Sequence, residues 1–392
     1  MSSSALARSP DLKRLRDEGY EVWIQSEHLL VSHVPYVNSR REVRFGTLIS
    51  NLNVDPQGVA TTPNTHVAHW DGDHPCTKDG SEIVQIKHQS ADQELAKGLV
   101  SRHSFSCKPP DGYRDYHAKM TRYIEMISAP ARAIDPSVTA CTFAPVTEEP
   151  SNEASVFHYV DTAASRSGIL AITERLKPLK VGIIGLGGTG AYILDLVAKT
   201  PVREIHLFDG DEFLQHNAFR APGAPSLEDL CRKPLKTEYL KDQYGRMHRK
   251  IISHATYVDA SNVEHVLGLD FVFVCIDRGR VKESLYAQME ARGLSFIDVG
   301  MGVTAENGAL VGVVRTTLST GAKRDHVRRR VPFGDGPDDD YASNIQIAEL
   351  NMLNAALAVL KWKKLYGVYN DAEREHTSLF SINVNQLLSE DQ

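Results

Sequence analysis

Four glycines in six residues mark the stretch with the clearest chemical meaning. Val181-Gly182-Ile183-Ile184-Gly185-Leu186-Gly187-Gly188-Thr189-Gly190 reads as a short apolar strand, a GxGxxG turn and the start of a helix. Glycine suits a chain that turns sharply and a backbone that phosphate approaches closely. The helix that follows directs its free N–H groups at an anion. Gly185, Gly187, Gly188 and Gly190 are therefore read as a nucleotide cradle; a glycine turn without a ligand is the plain alternative. Asp209 closes the next apolar segment, HLFDGD, roughly 20 residues after the glycines, where a carboxylate holds ribose hydroxyls in NAD and ATP sites alike.

The residues that follow separate those two nucleotides. Asp209, Asp211, Asn217 and Arg220 form the pattern DxDxxxxxNxxR. Lys236 opens a helical segment in LCRKPLKTEYLKDQ, with Lys233 as its competitor, and Asp277 ends the apolar run FVFVCID. Arginine offers planar paired donors, lysine a point charge, and a carboxylate can hold Mg²⁺ between phosphates.

This ordered set resembles the ThiF-like, ubiquitin-activating-type adenylyltransferases, over about residues 160–310 and more loosely to about 365. The resemblance implies ATP and Mg²⁺ bound on a Rossmann-like sheet and adenylation of the C-terminal glycine of a ubiquitin-like carrier protein. It assigns Asp209 to the ribose, with Asp211 beside it. Asn217, Arg220 and Lys236 go to the phosphates and Asp277 to Mg²⁺. Arg278 stands where the family commonly has Asn. In bacterial members an Arg before the glycine loop reaches the partner subunit's site. SRSGILAITERLKPLK holds Arg166 and Arg175; Arg166 is the choice, and a homodimer follows from it. Many members also carry a thioester cysteine after the fifth strand. Here no cysteine follows Cys275, so adenylation is expected without a thioester on this chain, the acyl group passing to a conjugating-enzyme-like partner. The loop 319–342, with basic and acidic clusters, is either a solvated segment or a cover over ATP or the carrier's tail. A bacterial ubiquitin-like conjugation pathway is the expected setting. A sulfur-carrier protein or peptide substrate, an NAD-dependent oxidoreductase and a non-catalytic nucleotide-binding scaffold remain as rivals.

Positioning these residues requires alternating strands and helices. Strands are expected at 180–184, 204–208, 255–258, 270–276, 295–299, 308–317 and 379–384, and helices at 189–199, 236–244, 281–292 and 345–364. That alternation gives a doubly wound, mostly parallel Rossmann-like α/β sheet. Before it, an α+β domain is expected over 1–152, with the adenylyltransferase domain over 153–392. The first domain opens with a helix at 10–18. Strands follow at 20–24, 28–34 and 42–49, then a loop over 53–80 and helices at 91–100 and 113–127. It resembles an uncharacterised bacterial domain fused before ThiF-like domains, and partner recruitment is its expected role. His66, His69, His74 and Cys76 crowd THVAHWDGDHPC. A zinc site with Asp71 or Asp73 is conceivable there, though polar loops often collect such residues.

Composition narrows the rest. The 392 residues are 42% hydrophobic and 24% charged, as in globular proteins, which excludes a disordered or fibrous chain. Lys and Arg number 44 against 50 Asp and Glu, a net charge of −6, so no nucleic-acid partner is expected. No apolar run reaches the roughly 18 residues of a membrane span, and the N-terminus has no secretory apolar core. Five cysteines without a CxxC pair fit reduced thiols in the cytoplasm.

Overall fold

Alternating Val, Ile and Leu in the N-terminal third build an antiparallel sheet in the computed structural model, which describes residues 5–6, 8–146, 155–334 and 345–392. The chain divides into two compact units, Met1–Glu149 and Pro150–Gln392.

In the first unit, helix α1 (Pro10–Asp17) starts on a proline, whose missing N–H costs nothing there. Six strands follow: β1 (Glu21–Gln25), β2 (His28–Val37), β3 (Val43–Asn51), β4 (Val67–Asp71), β5 (Lys87–Ala96) and β6 (Leu99–Ser106). They lie in the order β1-β2-β3-β4-β6-β5. Helix α2 (Tyr116–Ile134) is capped by Asp115, whose side chain accepts the Ala118 N–H. It packs against β2 and β3, burying Tyr116, Met120, Tyr123 and Ile127 at helical spacing.

Two expectations fail here. The helix foreseen at 91–100 is a hairpin: Ala96 pairs with Leu99 across Lys97-Gly98, and Gly98 has φ +75°. Ala91, Glu94, Leu95 and Lys97 favour a helix locally, but Leu99 and Phe105 are buried and β6 pairs with β4. Tertiary pairing overrides propensity. The loop foreseen over 53–80 contains β4, which carries the buried Trp70.

The second unit holds the predicted alternation. Its elements are β7 (Lys180–Ile184), α3 (Gly188–Val197), β8 (Glu204–Phe208), α4 (Lys236–Tyr244), β9 (Ile251–His254), β10 (Phe271–Val274), α5 (Gly279–Ala291), β11 (Ser295–Glu306), β12 (Ala309–Ser319), α6 (Ala348–Leu365), β13 (Thr377–Ser381) and β14 (Gln386–Glu390), with short helices between. The sheet order is β14-β13-β12-β11-β10-β7-β8-β9. Strands β11, β10, β7, β8 and β9 run parallel, and β12, β13 and β14 are added antiparallel. One core joins α3 and α6 to the sheet through Leu194, Val197, Ala355 and Trp362. Another joins α5 to it through Leu285, Tyr286 and Met289. This is a doubly wound Rossmann-like fold. The chain leaves β7 toward β8 on one side, while β10 lies on the other. The strand ends at β7 and β10 are thus the switch point where such sheets bind ligands. The strand foreseen at 255–258 is instead β9, ending at His254; residues 255–258 turn out of the sheet and carry Tyr257 and Val258 to the cleft. No helix among the described residues is long and apolar enough to cross a membrane.

One buried charge ties the first unit together. Lys119 on α2 is fully buried, and its Nζ donates to Ser50 Oγ (2.8 Å), Thr65 O (3.0 Å) and Val67 O (2.7 Å). Burial pushes its pKa down to about 8. Between that value and the unfolded value the folded chain binds fewer protons, so stability rises with pH. Relative to Lys119→Met, the wild type should gain roughly 1–2 kcal/mol between pH 8 and 9.5, read by denaturant unfolding of the first unit. A pH-independent difference between the two would contradict this.

Candidate functional site

The glycine loop begins where β7 ends. Gly185 has φ +86°, and a Cβ there would sit 2.8 Å from the Cys275 carbonyl oxygen. At Gly190 a Cβ would lie 1.9 Å from the Gly185 carbonyl, and at Gly188 2.0 Å from Asn351 Nδ2. Packing therefore dictates glycine at three of the four positions. Gly187 differs: nothing lies within 4 Å of its absent Cβ, and it lines a cleft of about 1000 Å³.

Asp209 fastens this loop to the end of β8. Its Oδ2 accepts the Leu186 N–H (2.7 Å) and its Oδ1 the Asp211 N–H (2.8 Å). Each oxygen keeps a second lone pair for a ribose hydroxyl. Lys236, at the first turn of α4, is buried. Its Nζ lies 2.7 Å from Asp211 Oδ2 and 3.6 Å from Asp209 Oδ1. Tyr257 donates its hydroxyl to Asp211 Oδ1. Burial would raise the Asp211 pKa, but the bonds from Lys236 and Tyr257 hold it below the usual carboxylate range. Lys233, in contrast, is exposed, in a left-handed conformation that ends the helix Leu227–Arg232.

Asn217 does not line the cleft; it shapes the turn that presents Arg220. Its Oδ1 accepts the Leu214 N–H (2.8 Å), and its carbonyl accepts the N–H groups of Arg220 (3.1 Å) and Ala221 (3.0 Å). Arg220 does line the cleft. Burial lowers its pKa and the nearby Asp277 charge raises it. Both Arg220 Nε and Asn217 Nδ2 are buried donors without a protein partner. Asp277 and Arg278 follow β10 in the loop before α5 and also line the cleft; the Arg278 guanidinium stands 5.5 Å from the Tyr257 ring centre, a cation–π contact. The structure thus gathers Gly185, Gly187, Gly188, Asp209, Asp211, Arg220, Lys236 and Asp277 at the cleft, with Gly190 buried in the helix behind them. It does not bring Arg166 to them. Arg166 is exposed at the end of the short helix Thr162–Arg166, and Arg175 donates to the Gly367 carbonyl.

Sequence reasoning missed two groups. Asn351 of α6 accepts from Thr189 Oγ1 (2.8 Å) and donates to the Arg220 carbonyl (3.4 Å), joining the glycine helix to the arginine turn. Lys282, Tyr286, Asp298 and Arg315 form a buried charge cluster at the cleft. The available signals were polar residues inside apolar runs, Asn351 and Asn354 in a buried helix and Asp298 in a buried strand.

Cys275 is half-buried and lines the cleft, while Cys107 and Cys141 are half-buried in the first unit. The Cys275 thiol is pushed far up by burial, with Asp298 adding to the shift. Cys76 is buried and donates to the His74 carbonyl. Cys231 is exposed on the helix Leu227–Arg232. Among the described residues no group of three or more His, Cys, Asp or Glu can hold a metal ion, so the zinc arrangement considered around His66, His69, His74 and Cys76 is not formed. Of the loop 319–342, residues 335–342 lie outside the described residues.

A model of the ThiF family matches residues 162–365. The chain belongs to the ThiF family. Residues 10–162 match a domain of unknown function, DUF6791. A tRNA threonylcarbamoyladenosine dehydratase from Haemophilus influenzae is 25% identical over 130 residues, 32% of this chain and 49% of its own length. The chain therefore spans about half the length of that curated relative. Among solved structures, E. coli MccB with ATP is similar at 18% identity, covering 57% of this chain and 66% of its own with a TM-score of 0.46. E. coli MccB with MccA-N7isoASN is similar at 18% identity, covering 58% and 71% with a TM-score of 0.48.

In this ThiF-family chain the glycines divide by role, and substitution separates the roles. Gly190→Ala forces backbone apart and should cost about 2–4 kcal/mol of stability. Gly187→Ala should leave the melting temperature nearly unchanged yet weaken Mg-ATP binding at least about tenfold. Calorimetric titration and thermal unfolding of both variants check this. Unchanged ATP affinity in Gly187→Ala would remove the cradle role.

Proposed function

We propose that the second unit is an ATP- and Mg²⁺-dependent adenylyltransferase. It activates the C-terminal carboxylate of a ubiquitin-like protein in a bacterial conjugation pathway, without a thioester on its own cysteines. The observation that carries this reading is the convergence on one cleft of the glycine loop, Asp209, Lys236, Arg220 and Asp277. ThiF-family membership supports it.

The residues fit the nucleotide. A backbone without side chains at the loop, the buried unpartnered Arg220 Nε and the Lys236 ammonium suit a triphosphate. Asp277 as a lone carboxylate suits Mg²⁺, which takes one or two carboxylates together with phosphate oxygens and water. When bound, that ion supplies neutralisation of charge between phosphates. In the reaction, a carboxylate oxygen of the carrier bonds to the α-phosphorus. The bond from that phosphorus to the β-bridging oxygen breaks, and pyrophosphate leaves. The attacking carboxylate is already ionised at neutral pH, so no general base is needed. Arg220 faces the growing charge on the phosphate oxygens, and Lys236 exchanges its Asp211 contact for phosphate. These are electrostatic and positioning effects, which dominate phosphoryl and nucleotidyl transfer.

Cys275 is half-buried at the cleft, and desolvation pushes its thiol far up, which makes it a poor acceptor and favours transfer to a partner's nucleophile. We further propose that Arg166, which does not line this chain's own cleft, completes a neighbouring subunit's site in a homodimer. A second reading keeps adenylation and changes the acceptor, because the Haemophilus influenzae relative is named for a modified tRNA nucleoside rather than a protein.

Mg-ATP should raise the melting temperature and NAD at equal concentration should not; the reverse would replace the reading with a dinucleotide site. Arg220→Ala and Asp277→Ala should each lower carrier-dependent ATP–pyrophosphate exchange by about 10²–10³ while the fold survives. Normal exchange in either would discard the site assignment. Mixing inactive Arg166→Ala with inactive Asp277→Ala subunits should restore part of the exchange; no recovery would place Arg166 outside the active site.

A further inference from the structure

Adenylation joins two anions, and that sets an electrostatic requirement. The carboxylate must reach the α-phosphate of a polyanion inside a cleft that shields charge less than bulk water does. The glycine loop, Arg220 and Lys236 address the phosphates. A separate cationic centre would offset the charge of the incoming carboxylate.

Such a centre lies at the β11–β12 end of the same cleft. Asp298 of β11 is fully buried. Its Oδ1 meets Lys282 Nζ at 2.8 Å and accepts the Tyr286 hydroxyl, and its Oδ2 meets Arg315 Nη2 at 2.7 Å. Arg315 Nη1 also donates to Thr317 Oγ1 (2.9 Å). Burial would raise the Asp298 pKa, but Lys282 and Arg315 outweigh it and keep the group ionised. Two cations around one anion leave an excess positive charge. Side-chain exposure is 3% for Lys282 and 11% for Arg315. A buried excess charge is costly unless an anion joins it. Among the described residues, Asp298 is the sole carboxylate in ion-pair contact with either cation. Both cations line the cleft.

The surroundings indicate which anion. The Arg315 guanidinium lies against Gly300, where a Cβ would come within 2.6 Å of Nη2. The Gly300 carbonyl accepts from Asn354 Nδ2 (3.0 Å), and Asn354 Oδ1 is a buried acceptor without a partner. Pairing of β10 with β11 stops at Val274 and Asp298, and Val299, Gly300 and Gly302 of β11 line the cleft beyond that point. A monovalent cationic centre beside an unused acceptor matches a peptide C-terminus: one carboxylate and a preceding N–H.

We propose that Lys282 and Arg315 form the carboxylate subsite of this cleft, with Asp298 as the residue that positions both, and that the subsite takes the terminal carboxylate of a peptide chain. The assignment rests on the adenylyltransferase reading. Asp298 reduces the net charge to that which a single carboxylate neutralises.

The test uses the full chain saturated with Mg²⁺ and a non-hydrolysable ATP analogue, titrated calorimetrically with glycylglycine and with glycylglycinamide. The acid should bind at millimolar concentration and the amide at least about tenfold more weakly. Lys282→Gln and Arg315→Gln should each weaken the acid by about tenfold or more and leave the analogue's affinity unchanged. Arg315→Lys should recover part of the loss. Equal binding of acid and amide overturns the subsite, as does unchanged acid binding in the glutamine variants. So does absence of acid binding at tens of millimolar by a chain that holds the analogue. If Arg315→Gln fails to fold, Lys282→Gln and the acid–amide comparison on the wild type decide. A wild-type chain that does not bind the analogue sinks the adenylyltransferase reading first, and the subsite with it.

Discussion

The Asp209 carboxylate is the joint on which the candidate site depends. It accepts one amide from the glycine loop and one from its own turn, and it faces the ammonium of Lys236. Three elements distant in sequence are thereby fixed at one point: the end of β7, the end of β8 and the start of α4. A charged acceptor makes these bonds stronger than a neutral one would, and its burial keeps water from competing. Asp211 extends the joint to Tyr257 in the turn after β9. The walls of the cleft are tied to one another through carboxylates that are themselves part of the cleft.

The parallel sheet supplies the frame for that joint. Strands β7 to β10 are short, and the sheet is covered on both faces, by α3 and α6 on one and α5 on the other. Backbone bonding then fixes the strand ends relative to one another to within the register of the ladder. Ile184, Val274 and Asp298 lie at one level because β7, β10 and β11 are neighbours. The antiparallel additions do something different. They extend β11 beyond its parallel partner and set Arg315 of β12 over Gly300, so one end of the cleft is built by a ribbon rather than by a βα loop.

Much of this was legible in the sequence where function is encoded in a local turn. The glycine loop, Asp209, Lys236 and Asp277 each lie just past the end of a strand or at the start of a helix, and those ends carry their own signals. Asn217 illustrates the limit: its place in the pattern was clear, but it serves the turn from beneath and the cleft receives only Arg220. Lys282, Asp298 and Arg315 belong to a helix and two strands, and as separate charges they look like solvated surface residues. Their meaning arises only when the sheet brings them together. The hairpin β5–β6 was hidden for the opposite reason. Its residues favour a helix locally, and partners far along the chain decide otherwise.

That hairpin leaves β5 as an open edge of the first unit's sheet, with nearly every side chain facing solvent. An unpaired strand edge is a template on which a second chain can add its own strand. Here the template is poor: Lys87, His88, Asp92 and Glu94 lie along it, and its register against β6 slips at three points. A strand approaching from solution would meet charge and a broken ladder of donors and acceptors. The charges and the slipped register thus guard the sheet against edge-to-edge growth, and with it the colloidal stability of the protein at high concentration.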